Sequence, residues 1–372
     1  MKKTNLLTLL SILLLICSCN HKDAKEKNEK SDKSYSLKEG QIELKGYPTA
    51  NHKIAFTATV KTITIDWGDG NVEHITPNGS EETFSHTYSN TNYQTIIVTT
   101  DSLTKFSSNS CHELRFGNCS ELEIITCNGR DLKVLEVNKC KSLVSLYCSN
   151  NELTSLDLSG CSALKALYCS HNKLTSLDLS ECKALEYLNC YNNQLTSLDL
   201  KDFKSLKELN CSVYYYSNKL TSLNISGCSA LKKLDCYHNE LTSLDLSGCS
   251  ALTSLNCSHN KLTSLDISGC NALTTLFCYN NQLTAEALNS VFEALPPKGK
   301  YPIYMLRINN NPGTSTCNKN TAKEKGWHIH FEAVVSHHQR DTTVDLERLL
   351  PRATSVYRPK LAGSIDREAV GL

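Results

Sequence analysis

The pattern Leu-x-x-Leu-x-Cys recurs through the middle of the chain at a step of 21 residues, and that step constrains the fold more than any other feature. It stands at Leu122/Ile125/Cys127, Leu143/Leu146/Cys148, Leu164/Leu167/Cys169, Leu185/Leu188/Cys190 and Leu206/Leu209/Cys211. It resumes at Leu231/Leu234/Cys236, Leu252/Leu255/Cys257 and Leu273/Leu276/Cys278. Between Cys211 and Cys236 the step lengthens by four residues, Val213-Tyr214-Tyr215-Tyr216. Asparagines follow three positions after the cysteines (Asn151, Asn172, Asn193, Asn239, Asn260, Asn281), with Asn218 in the shifted register. Each leads into Leu-Thr-Ser-Leu-Asp-Leu or a near copy, then usually Ser-Gly-Cys. A unit this short cannot bury its own apolar face, so copies must stack and share one core.

The second leucine and the cysteine lie two apart, so both point to one side of an extended segment. Stacked segments at a spacing of about 4.8 Å would pair their backbones and pool that side as core. The asparagine column is expected to turn inward at the bend and satisfy backbone groups there. A second cysteine column runs through Cys119, Cys140, Cys161, Cys182, Cys228, Cys249 and Cys270, with Phe203 standing in for the absent member. Cys111 takes the first-leucine position of an opening half-repeat, ahead of Leu114 and Phe116.

Nineteen cysteines would suggest a disulfide framework if the chain is exported. Fifteen of them fall in the two periodic columns, where a free thiol packs as a small hydrophobe. They are expected to be reduced and buried. Zinc would need four converging ligands, whereas these cysteines come one per layer between leucines. His171, His238 and His259 share a column with Asn150, Asn192 and Asn280, which suggests a solvated turn rather than a metal site.

These motifs resemble the leucine-rich-repeat family, and most closely its bacterial nested 21-residue class. The resemblance implies parallel stacked coils with one short strand per repeat lining a concave face. The Leu-x-x-Leu-Asp-Leu half can add a second short strand on the opposite side. The expected fold class is a repeat solenoid over residues 104–284, preceded by a small β-sandwich and closed by an α/β cap.

The flanks differ in character. Residues 1–19 combine a basic start, Met1-Lys2-Lys3, with an apolar run, Leu6 to Ile16, too short to span a bilayer. Ile16-Cys17-Ser18-Cys19 resembles a bacterial lipobox, which implies cleavage before Cys19 and its acylation; Cys17 fits the pattern less well. Residues 20–38 hold almost nothing apolar and are expected to form a flexible tether. Residues 39–103 alternate at strand spacing and carry Trp67-Gly68-Asp69-Gly70-Asn71, a hairpin-turn signature, and later His86-Thr87-Tyr88. Together these resemble a PKD-type β-sandwich, in which Asp69 and His86 are turn and packing residues rather than an acid–base pair. In residues 285–335, Ala285 to Leu295 has helical spacing and stops at Pro296-Pro297; a strand over Ile303 to Ile308 and a helix near Cys317 to Gly326 complete a capping unit. Residues 336–372 carry five arginines and no repeat, and are expected to be disordered.

Lysine and arginine nearly balance aspartate and glutamate, for a net charge of +1, so electrostatic capture of nucleic acid has no support. No Ser/His/Asp grouping, metal motif or phosphate loop stands out from the repeats, and neither enzymatic activity nor a cofactor is expected. The surface offers aromatic residues instead. Outward positions on the Leu-x-x-Leu-x-Cys strands hold Tyr147, Tyr168, Tyr187, Tyr191, Tyr237, Phe277 and Tyr279, with Tyr214, Tyr215 and Tyr216 emerging beside them. Exposed aromatics in a polar field suit a protein interface and sugar stacking alike; cross-strand pairing that stabilises the stack is the plainer account. The opposite half carries Glu136, Asp157, Asp178, Asp199, Asn224, Asp245 and Asp266. Their repulsion would be relieved by local hydrogen bonds, or by calcium. The expected function is a monomeric, non-catalytic, lipid-anchored protein of the cell envelope, in the outer membrane and facing the surface, that binds a protein ligand or mediates adhesion. The alternative is a glycan-capturing lipoprotein of a polysaccharide uptake or degradation system.

Overall fold

The computed structural model describes residues 37–330 except 50, 52, 130, 214–218, 298 and 300–303. The signal segment, Cys19, nearly all of the expected tether, Tyr214-Tyr215-Tyr216 and the arginine-containing tail lie outside the described residues.

Eight strands open the described chain: β1 Gln41–Gly46, β2 Lys53–Val60, β3 Ile63–Asp66, β4 Val72–Ile75, β5 Glu81–Thr87, β6 Gln94–Thr100, β7 Leu103–Ser107 and β8 Glu113–Phe116. One sheet takes β8, β1, β6, β3 and β4 in that order; the other takes β7, β2 and β5. Alternate residues of β2 are buried, so Ile54, Phe56, Ala58 and Val60 all face inward. Aromatic rings meet between the sheets: Phe56 lies 6.0 Å from Trp67, and Phe106 lies 5.3 Å from Phe116. The expected hairpin is present between β3 and β4, closed by Trp67 N–H donating to Asn71 O at 3.0 Å. Gly68 has φ +82°, and a Cβ there would fall 2.3 Å from Thr95 O, so no other residue fits that position.

Both sheets continue into the repeats. β8 is antiparallel to β1 on one side and parallel to Val134–Glu136 on the other. β7 pairs in parallel with Ile124–Thr126, setting Phe106 beside Ile125. Leu103, Phe106 and Ser108 therefore occupy the places of Leu122, Ile125 and Cys127, and Ser108 is buried like the cysteines that follow it.

From Ile124–Thr126 to Met305–Arg307, nine strand triplets stack in parallel and in register to form the front sheet. Each buries its central Leu or Ile, and the flanking positions are half-buried except for the exposed Lys233. The insertion after Ser212 leaves this register intact, since Leu209 still pairs with Leu234. The Leu-x-x-Leu-Asp-Leu half forms strands only in places, at Val134–Glu136, Ser197–Asp199 and Ser222–Asn224.

All seventeen described cysteines are buried, and none is joined in a disulfide. Burial pushes their thiols up, Cys161 and Cys190 to about 12. Phe203 fills its gap in the second column, with the Lys183 ammonium 4.1 Å above its ring. The asparagines turn inward as expected. Asn172 Nδ2 donates to Cys148 O at 2.9 Å and Cys169 O at 3.0 Å, while its Oδ1 accepts from Leu153 N–H at 3.0 Å, so one amide ties two coils together. Asn151, Asn193, Asn239, Asn260 and Asn281 repeat this bridge. The preceding column, Asn150, His171, Asn192, His238, His259 and Asn280, has φ between +53° and +59°. Asparagine and histidine tolerate that left-handed turn better than most side chains.

After the last matched repeat, α1 Ala285–Ala294 starts at the cap Thr284, whose Oγ1 accepts from Ala287 N–H at 3.2 Å. Met305–Arg307 then extends the front sheet, and Asn311 repeats the inward bridge with bonds to Cys278 O and Ile308 O. α2 Lys319–Glu324 and the short strand His328–Ile329 follow, the latter pairing with Met305–Leu306. No described helix is long and apolar enough to cross a membrane.

Candidate binding face

The outward positions of the front triplets form columns because parallel in-register pairing sets like positions side by side. One column runs Thr126, Tyr147, Tyr168, Asn189, Asn210, Asp235, Asn256, Phe277 and Arg307. Tyr147 and Tyr168 stack with ring centres 5.1 Å apart and planes 12° apart. Burial pushes the Tyr168 phenol up to about 12. Tyr187 lies in the column on the other side of the central leucines, with the Lys207 ammonium 5.8 Å from its ring.

A third column alternates small and large residues: Ser170, Tyr191, Ser212, Tyr237, Ser258 and Tyr279. Ser212 and Ser258 are fully buried between their tyrosine neighbours. The Tyr191 ring meets the His171 edge at 4.9 Å, and Tyr279 meets His259 at 5.1 Å, both nearly perpendicular. His238 and His259 stack at 3.8 Å. Burial, and then the neighbouring His238, hold His259 down to about 4.

The expectation of exposed aromatics is corrected here. Tyr147, Tyr168, Tyr187, Tyr191, Tyr237, Phe277 and Tyr279 are all half-buried. A column assignment gives the direction in which a side chain leaves the strand. It does not reveal that the ring then lies down against the adjacent coil. The candidates also fall into groups rather than one patch. Tyr147 and Tyr168 stand toward one end, Phe277 and Tyr279 toward the other, and Tyr187, Tyr191 and Tyr237 between.

In the column of Tyr147, Tyr168 and Phe277, polar residues separate Tyr168 from Phe277. The Oδ1 atoms of Asn189, Asn210 and Asn256 accept from the N–H two residues on, at 3.2, 3.2 and 3.3 Å, which fixes the amides. Asp235 replaces asparagine in this run. Burial pushes its carboxyl up to about 6, against the opposing pull of Lys233. Beyond Phe277, Arg307 places its guanidinium 5.1 Å from the Phe277 ring centre. Sequence reading did not single out Arg307. The signal was present in Leu306-x-Ile308-x-x-Asn311, the repeat's own spacing with isoleucine for cysteine.

The family described as leucine rich repeats (2 copies) matches residues 141–181, 162–202 and 250–290. The chain carries leucine-rich repeats. Among solved structures, the functional domain of InlJ from Listeria monocytogenes, which includes a cysteine ladder, is 30% identical with a TM-score of 0.46. That match covers 57% of this chain and 47% of InlJ's. YopM, a leucine-rich effector protein from Yersinia pestis, is 25% identical over 54% of this chain and 55% of its own, with a TM-score of 0.40. The plant peptide hormone receptor RGFR1, solved in complex with RGF2, is 21% identical over 52% of this chain and 33% of its own, with a TM-score of 0.41. The chain spans about half the length of the first solved structures it matches. No curated protein matches. The leucine-rich-repeat fold is commonly used for protein binding.

On the other half of the leucine-rich repeats, the acidic column is locally satisfied. Asp157, Asp178, Asp199, Asp245 and Asp266 each accept from the N–H two residues on, at 3.0, 2.9, 3.0, 2.8 and 2.8 Å. Bonds from Ser180 and Ser247 hold the Asp178 and Asp245 carboxyls below their usual range. Ahead of the repeats, Asp69 Oδ2 lies 2.7 Å from His86 Nε2, while its Oδ1 accepts from Asn71 N–H at 3.1 Å. His86 stacks on Trp67 at 5.2 Å, and Tyr88 OH donates to Trp67 O at 2.9 Å. Every member of this group braces the turn, which is the packing role expected of Asp69 and His86.

Proposed function

We propose that this chain is a non-catalytic, lipid-anchored protein of the cell envelope whose front leucine-rich-repeat face binds a protein ligand or mediates adhesion. The observation that carries the reading is the locked aromatic column. Tyr191 and Tyr279 are held edge-on against histidines of the preceding coil, so their contact surface is ordered before any partner arrives. Rigid aromatic anchors lose little conformational entropy on binding and often dominate interface energetics. Tyr187, Tyr237, Tyr147, Tyr168, Phe277 and the inserted Tyr214-Tyr215-Tyr216 belong to the same proposed surface. In this reading Cys19 carries the acyl chains, residues 20–38 form a tether, residues 39–103 act as a PKD-like spacer, and residues 285–335 cap the open end of the stack.

A second reading, capture of a neutral glycan, draws support from the amides of Asn189, Asn210 and Asn256 beside the tyrosines. Screening the purified chain in parallel on a displayed peptide library and a printed glycan array separates the two. Selective peptide binding that Tyr191→Ala weakens supports the first reading, and binding to glycans alone replaces it.

A further inference from the structure

The outward positions of the nine front triplets hold two cations, Lys233 and Arg307. Lys233 is paired with Glu208 at 3.1 Å. Arg307 has no carboxylate partner among the described residues; its guanidinium rests over Phe277 instead. Its Nε is sealed from solvent without a hydrogen-bond partner among the described residues, and so is Oδ1 of Asn309 two residues on. Buried polar atoms are rarely left unmatched. Part of the desolvation cost of a ligand at Arg307 is thus already met in the free protein, and the ring fixes the guanidinium in place.

Three strands away in the same column stands Asp235, flanked on both sides by asparagine. The register Asp235, Asn256, Phe277, Arg307 places an acid and a base about three strand spacings apart, roughly 14 Å at 4.8 Å each. Between them lie one fixed amide and one aromatic ring. This stretch of the face therefore presents a negative group, a neutral segment with an apolar ring, and an unpaired positive group.

We infer that this stretch binds an extended peptide segment of a partner protein, with a carboxylate of the segment on Arg307 and a basic side chain on Asp235. The inference rests on the protein-binding reading of the front face and names the partner's chemistry. An extended chain rises about 3.3 Å per residue, so opposite charges four residues apart span the gap. The carboxylate meets the terminal nitrogens of the guanidinium, whose planar fork suits it, and an apolar side chain between the charges covers Phe277. Charge complementarity favours a peptide over the other occupants. A neutral glycan would leave both charges unmatched, and an acidic glycan would meet Arg307 but be repelled at Asp235.

Selection of random dodecapeptides on the full-length chain tests this. Enriched peptides are expected to carry Asp or Glu four positions from Lys or Arg, and synthetic copies to lose about tenfold in affinity against Arg307→Gln and against Asp235→Asn. The exchange Arg307→Glu with Asp235→Lys should restore binding to peptides whose two charges are also exchanged, a result that a purely structural role would not give. Peptides enriched without acidic residues, or bound equally well by Arg307→Gln, overturn the inference and leave the protein-binding reading standing if Tyr191→Ala still weakens them. Enrichment of no peptide, with binding on a glycan array, overturns both.

Discussion

At the scale of single residues, Asp235 is the clearest departure from the repeat's own rule. Asn189, Asn210 and Asn256 hold equivalent places, and a neutral amide there needs no charge to be half-buried. The Asp235 carboxyl rises from 3.8 to about 6 because burial disfavours its charged form. The folded chain thus holds a proton that the unfolded chain has released between those values. Stability therefore falls as pH rises through that window, and the penalty persists above it. Asp235→Asn should stabilise the protein by about 1–2 kcal/mol at pH 8, allowing for solvent screening, and should change little near pH 3.5. Thermal melting of both proteins at the two pH values measures this. A variant equally stable at both would mean the site accepts the charge without cost.

At the scale of the coil, two ladders hold the stack: buried cysteines fill the space between leucines, and inward asparagines join adjacent backbones. Both were legible in the sequence because most layers of each column repeat the same residue type at a fixed step. Leu103/Phe106/Ser108 was not legible, since serine stands in the cysteine's place and the spacing to the next copy is shorter. A strand was expected over Ile303 to Ile308, but not as a further coil in the repeat register, because α1 lies between Met305–Arg307 and the preceding repeat. The orientation of Tyr191 and Tyr279 depends on histidines one coil away, a relation that spacing alone does not reveal. The cysteine ladder makes its own prediction. In the native protein the thiols should resist alkylation, being buried and held in the unreactive protonated form. After denaturation most should label without added reductant. A need for reductant would show that the ladder is cross-linked.

At the scale of the molecule, the two sheets of the opening strands run directly into the two faces of the repeats through β7 and β8. Arg115 on β8 reinforces that junction, reaching Glu43 of β1 at 2.9 Å and Glu136 of the following coil at 2.8 Å. The front face is therefore held by a continuous frame rather than by a flexible joint. If that frame is tethered at a membrane through Cys19, Cys19→Ala should shift the protein from the membrane to the soluble fraction and remove the acyl mass. Unchanged membrane association would refute the anchor. The central claim is that the front face does the binding. Its most direct test compares affinities for one peptide selected on the intact chain, with melting temperatures confirming that each variant is folded. Tyr191→Ala, Tyr237→Ala and deletion of Val213 to Tyr216 should each weaken binding by about tenfold or more, while Asp157→Asn and Asp178→Asn should bind as the parent does. Normal binding by the tyrosine variants with loss in the aspartate variants would place the site on the opposite half of the coil and contradict the account.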